Sequence, residues 1–134
     1  MALTVGTKAP SFSTKDDEGK TVSLSDFAGK TVVLYFYPKD DTPGCTKEAQ
    51  NFRDNHTQYQ DKDVVVLGVS QDDEASHKQF KQKYGLPFTL LTDVDGGGYA
   101  KRATYIIDGD GKISHVDTNV QASSHAEDLL STVS

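Results

Sequence analysis

Apolar residues run without polar alternation through residues 31–37 and again through 63–70, the pattern of strands covered on both faces. Between these runs Cys45, Ala49, Phe52, His56 and Tyr59 fall at steps of four, three, four and three, the spacing of one helical face. Strand, helix, strand predicts a right-handed βαβ crossover with parallel strands. A second helix is expected over 72–84, with His77, Phe80 and Tyr84 on one side and Gly85 closing it. A short strand follows over 88–91. Residues 104–107 and 112–116 flank the Gly-containing turn 108–111 and predict a β-hairpin. A helix over 122–132 ends the chain. At the front, 11–14 and 21–24 flank Asp16-Asp17-Glu18-Gly19 as a small hairpin. Parallel strands first and an antiparallel hairpin later make an α/β sandwich, a central mixed β-sheet flanked by helices with an N-terminal β-hairpin.

With 134 residues and no linker, repeat or low-complexity stretch, residues 1–134 are expected to form a single domain. A chain this long buries enough surface to fold without disulfides or a structural metal. Its net charge of −6 and scattered basic residues argue against nucleic acid as a partner. Lys78, Lys81 and Lys83 read as a solvated helix face rather than a binding patch. The longest apolar run, 32–37, is far too short to cross a bilayer, and the first residues lack the features of a secretion signal. A cytoplasmic protein with no membrane partner is expected. The single cysteine excludes an internal disulfide and suits a reducing compartment.

That cysteine, Cys45, is where the chemistry concentrates. It ends the segment Pro38-Lys39-Asp40-Asp41-Thr42-Pro43-Gly44-Cys45, where a strand gives way to a helix. A helix start offers backbone N–H groups and the positive end of its dipole, and both favour thiolate, the nucleophilic form. Thr42 offers a hydroxyl three residues earlier, and the N–H groups of Gly44 and Cys45 point to the same corner. Pro38 and Pro43 restrict the loop and shield the sulfur from bulk water. Taken alone, a lone cysteine is a small buried hydrophobe; the Thr-Pro-Gly-Cys turn is what argues otherwise.

The segment resembles the active-site motif of peroxiredoxins, P-x-x-x-T-x-x-C, present as Pro38, Thr42 and Cys45. More narrowly, residues 34–49, then Asn51-Phe52-Arg53-Asp54, Ser76-His77-Lys78, 83–88 and 104–108 are similar to the bacterioferritin-comigratory or Q-type subfamily. The resemblance implies a thioredoxin-like fold and reduction of hydrogen peroxide and organic hydroperoxides, with no cofactor. It also points to a cation. Arg53 lies eight residues past Cys45, about 12 Å along a helix axis, and is read as a salt-bridge partner elsewhere. Arg102 matches the family arginine that begins a strand antiparallel to 31–37, so the resemblance assigns it to lowering the pKa of Cys45 and to binding peroxide. Lys101 points to the other side of an extended chain.

Two features depart from the subfamily. Many relatives carry a second cysteine five residues after the first; here that position is Gln50. There is no resolving cysteine, so a different molecule must supply the thiol: thioredoxin, glutaredoxin, glutathione or the Cys45 of a second subunit. A monomer or weak homodimer is expected. Secondly, relatives place an additional helix between the strands ending near Leu91 and starting near Arg102, where only residues 92–101 remain. The two strand ends should lie about three strand spacings, ~15 Å, apart at one sheet edge, and ten residues can extend beyond about 30 Å. The link is long enough.

Other candidates read as ordinary structure. Asp40 and Asp41 are expected as solvated turn residues beside an N-cap. Asp93-Val94-Asp95-Gly96 and Asp108-Gly109-Asp110-Gly111 lack the remaining ligands of a calcium loop. His56, His77, His115 and His125 show no ligand spacing, so no metal is expected. Gly96-Gly97-Gly98 is flexible backbone, not a phosphate loop. Two competing functions remain: thiol–disulfide exchange, which normally needs a Cys-x-x-Cys pair whose first position is Thr42 here, and a redox-responsive binding module switched by oxidation of Cys45.

Overall fold

The structure, a computed structural model, describes residues 5–9, 13–37, 39–92, 103–117 and 129. A two-stranded antiparallel hairpin, β1 (Ser13–Lys15) and β2 (Thr21–Ser23), leads through a 3-10 turn, Leu24–Phe27, into the main sheet. That sheet contains β3 (Thr31–Phe36), β4 (Val64–Ser70), β5 (Thr89–Thr92), β6 (Ala103–Ile107) and β7 (Ile113–Asp117), in the order β5-β4-β3-β6-β7. The first three strands are mutually parallel, and β6 and β7 are antiparallel. The helices are α1 (Pro43–Asp54), α2 (His56–Asp61) and α3 (Glu74–Tyr84).

The expected mixed sheet, its hairpins and the βαβ crossover are therefore present. One difference is the helix between β3 and β4. Its apolar stripe runs on as expected, but the backbone breaks at Asn55, with φ −105° and ψ 6°. Asn55 is buried and its side-chain amide donates to the Asn51 carbonyl at 2.8 Å. A side chain that bonds nearby backbone competes with the helical ladder and starts a new turn. Cys45, Ala49, Phe52 and Tyr59 are buried, and His56 is half-buried. The helix predicted over 122–132 lies outside the described residues apart from Leu129, which is helical and buried.

Alternate residues of β3 enter two separate cores. Val33, Tyr35 and Tyr37 face α1, α2 and α3 in a layer with Phe52, Tyr59, Phe80 and Phe88. Val32 and Leu34 face the other way, among Leu67, Val69, Leu91, Ile107 and Ile113. The Tyr35 ring stacks on Phe52 at 4.5 Å. It also lies against the backbone of Gly68, its register partner on β4, where any Cβ would come within 2.9 Å of the ring. That glycine lets the aromatic layer close over the sheet.

This topology sets up one edge of the sheet. Parallel β3 and β4 both end there, and β6 begins there, because Ala103 pairs with Phe36. The ends of β5 and β6 at that edge are three strand positions apart, as the sequence predicts.

Candidate active site

At the end of β3 the chain passes through Lys39, Asp40 and Asp41 and enters α1. Pro43 occupies the first helical position, where its missing N–H costs nothing and its fixed φ favours the helix. Thr42 is the N-cap with extended backbone, φ −95° and ψ 156°. Its carbonyl accepts the first intrahelical bond, from the Thr46 N–H at 2.8 Å. Gly44 and Cys45 thus sit in the first turn, ahead of that bond. Cys45 is the third residue of α1, and its dipole end is where an anion is favoured.

The Thr42 hydroxyl does not cap the helix. It donates to the Lys39 carbonyl at 2.9 Å, closing the loop on itself. With its hydrogen spent there, its oxygen can still offer a lone pair. Cys45 is only 2 % exposed and belongs to the aromatic layer with Tyr35, Tyr37 and Phe52. The sulfur is thus screened from water by this aromatic packing, more tightly than in an open notch. Pro43 is exposed and Gly44 half-buried. Pro38 and Arg102 lie outside the described residues, although Ala103, the neighbour of Arg102, is seated beside the last residue of β3.

The two aspartates before Thr42 are not the solvated pair expected. Asp40 is buried, with 4 % of its side chain exposed. Its Oδ1 accepts the Tyr37 hydroxyl at 2.6 Å, and its Oδ2 accepts the Ser76 hydroxyl and meets His77 Nδ1, each at 2.8 Å. The backbone N–H of Asp40 donates to Asp72 Oδ2 at 2.7 Å, and the Ser70 hydroxyl braces that same oxygen at 2.7 Å. Burial, more than its carboxylate neighbour, pushes the Tyr37 phenol well above its ordinary range, so it stays a donor. The reason for the misreading is distance in sequence: Tyr37 is local, but the other two partners that let Asp40 leave water come from 36 and 37 residues away.

Asp41 is exposed but held. It accepts from Lys83 Nζ at 2.8 Å and from the Tyr84 hydroxyl at 2.6 Å. The hydrogen bond from Lys83 holds its carboxyl below the usual range, and the same contact raises Lys83. Asp41 also takes a positive φ of 57°, which Asp tolerates better than most side chains. Of the three helix lysines read as solvated, Lys83 thus pairs with Asp41, and Lys81 reaches Asp17 at 3.3 Å. Arg53 behaves as expected: its guanidinium meets Asp54 and donates to the Tyr84 carbonyl at 2.8 Å. Both ends of α3 therefore grip the loop that leads to Cys45. Among the described residues, no group of three or more His, Cys, Asp or Glu side chains is arranged to hold a metal.

Residues 5–116 match the AhpC/TSA family. The chain belongs to that family. Peroxiredoxin Bcp of Bacillus subtilis is 40 % identical, across 99 % of this chain and 96 % of that protein. The alignment spans 151 positions against 134 residues here, so that relative carries residues with no counterpart in this chain. Among solved structures, a cysteine-to-serine mutant of Xylella fastidiosa PrxQ superposes with a TM-score of 0.93 at 27 % identity, covering 99 % of this chain and 96 % of that one. The bacterioferritin comigratory protein of Xanthomonas campestris, described for its alkyl peroxide reduction activity, gives 0.90 at 26 %, with 97 % of both chains covered. The thioredoxin-like peroxiredoxin fold and the Bcp/Q-type resemblance follow, and the function these relatives support is that of a thiol peroxidase. Among the described residues, no helix is long and apolar enough to cross a membrane.

Proposed function

We propose that this peroxiredoxin reduces hydrogen peroxide and organic hydroperoxides through Cys45. The observation that carries the reading is the position of Cys45, third in a helix that Thr42 and Pro43 start at the end of the central strand. The Cys45 thiolate attacks one peroxide oxygen. A sulfur–oxygen bond forms as the O–O bond breaks, and the departing oxygen takes a proton and leaves as water or an alcohol. Cysteine is oxidised to sulfenic acid and the peroxide is reduced. Fixed donors beside the breaking bond favour the transition state over the ground state. Thr42 serves as an acceptor that orients the peroxide O–H, and the N–H groups of the first turn, with Gly44 and the flanking Pro38 and Pro43, shape the pocket. Arg102 is the cation; the seating of Ala103 at the end of β3 supports its approach to this edge.

Regeneration uses an external thiol, because a chain with one cysteine cannot close an internal disulfide. That thiol attacks the sulfenic sulfur and releases water; a second thiol then splits the mixed disulfide and returns Cys45 to the reduced state. Thioredoxin, glutaredoxin and glutathione all have the required chemistry, and an NADPH-coupled assay with each in turn identifies the donor. Cys45→Ser is expected to abolish peroxide turnover. A native chain that reduces disulfides but consumes peroxide no faster than free cysteine would favour another reading.

A further inference from the structure

We propose that Asp40 is a positioning residue for peroxide reduction, acting with His77, Ser76 and Tyr37 to fix the loop that delivers Thr42 and Cys45. The proposal rests on the reading of Cys45 as the reacting residue. Asp40 stands two residues before Thr42 and five before Cys45, and it is tied at both ends. Its carboxylate takes donors from the end of β3 and from the first turns of α3, and its own N–H is fixed to the Asp72 carboxylate. An ionised carboxylate only accepts, so the hydrogen lies on His77 Nδ1. His77 is fully buried, and its Nε2 has no hydrogen-bond partner among the described residues.

Stability alone does not call for such an arrangement, since apolar packing of similar volume commonly serves as well as a buried polar cluster. What directional bonds add is geometry. Three donors converging on one carboxylate from two elements admit a single loop path, and reacting groups need placement to within about 0.5 Å. Just after Asp40 the backbone takes the positive φ of Asp41, and the next residue is the N-cap. A rotation at Asp40 is therefore transmitted to Thr42 and the first turn of α1.

Two rate constants separate positioning from mere support: peroxide reduction by stopped flow, and alkylation of Cys45 by iodoacetamide at the same pH. Alkylation needs only an accessible thiolate, whereas peroxide also needs its donors in place. Asp40→Asn is expected to lower the peroxide rate constant by about tenfold to a hundredfold and to change the alkylation rate far less. Ser76→Ala, which removes one donor from a half-buried site, shifts the same ratio in the same direction by less, and carries the test if Asp40→Asn does not fold. His77→Asn, whose amide can stand in for Nδ1–H, is expected to keep more of the peroxide rate than His77→Leu. Both rates falling together, or a fall in Tm with an unchanged ratio, would overturn the proposal. Peroxide turnover surviving in Cys45→Ser would instead overturn the reading of Cys45, and the two failures are distinct.

Discussion

The two faces of the central sheet are built from alternate residues of the same strands, yet they differ in kind. The face under α1, α2 and α3 is aromatic, with Tyr35, Tyr37, Phe52, Tyr59, Phe80 and Phe88 in contact and Cys45 among them. The opposite face is mainly aliphatic and is covered by the Ala9 segment, the β1–β2 hairpin and the 3-10 turn. Several buried polar side chains lie with the first face, Glu48 and Asn51 on α1, His77 on α3, and Asp40 in the loop between β3 and α1, while Asp17 is buried in the turn of the β1–β2 hairpin, where it meets Lys81 and the Leu90 N–H. Aromatic rings with hydroxyl tips explain part of this. They bury large area and still offer donors at their ends, as Tyr37 does to Asp40. One face is closed mainly by aliphatic packing; the other combines stacked rings with buried polar groups.

The largest break in that division would come from giving the reactive turn a cysteine to close on. Gln50 is half-buried on α1, five residues past Cys45. Five residues of intact helix rise about 7.5 Å, beyond the ~7 Å Cα separation a disulfide allows. Gln50→Cys treated with one equivalent of peroxide is expected to form an intramolecular crosslink only as the first turns of α1 unwind. Mass spectrometry reads the crosslink and circular dichroism the lost helix. A crosslink with helix content unchanged would show that α1 bends without opening.

Truncations on the two faces come next. Phe52→Ala removes the ring stacked on Tyr35 and is expected to cost about 3–5 kcal/mol, and Leu67→Ala on the aliphatic face about 2–5 kcal/mol. Denaturant melts check both. The contrast lies in activity per folded molecule: Phe52→Ala should lower it, because Phe52 seats the helix that carries Cys45 in its first turn, and Leu67→Ala should leave it intact. Equal losses would erase the distinction between the faces.

The smallest effect is expected at the exposed tie between α3 and the loop. Asp41 is held below its ordinary value of 3.8 and Lys83 above its 10.5, in each case first by their mutual hydrogen bond. A lowered carboxyl pKa contributes stability above about pH 3.8 that is lost as pH falls through the folded value. A raised lysine pKa contributes stability below about pH 10.5 that is lost as pH rises through the folded value. The difference in Tm between the native chain and Lys83→Met should therefore be flat through neutrality and shrink at both extremes. It should be small throughout, because both groups are in water.

Much of this arrangement was legible in the sequence. Unbroken apolar runs marked β3 and β4, and the three-and-four spacing from Cys45 to Tyr59 marked the buried stripe of α1 and α2. The family resemblance, through the thioredoxin-like topology it implies, placed the start of β6 at the sheet edge that carries the reactive loop. What sequence could not separate was Asp40 from Asp41. Two adjacent identical residues in a turn carry the same local signal; α3 supplies donors to both, but Asp40 meets the buried His77 near its start and Asp41 the exposed Lys83 near its end. His77 was legible as inward-facing, from its spacing with Phe80 and Tyr84, but its carboxylate partner was not. The break at Asn55 escaped because apolar periodicity continues across it, while the interruption is made by a polar side chain bonding its own backbone.

The most direct measurement is mass spectrometry of the protein treated with peroxide in the absence of thiol, paired with turnover of Cys45→Ser. Oxygen added at Cys45 as sulfenic then sulfinic acid, with turnover abolished in the variant, is the predicted result. An unmodified Cys45 in protein that still consumes peroxide, or a variant as active as the native chain, would contradict the assignment of the chemistry to this sulfur.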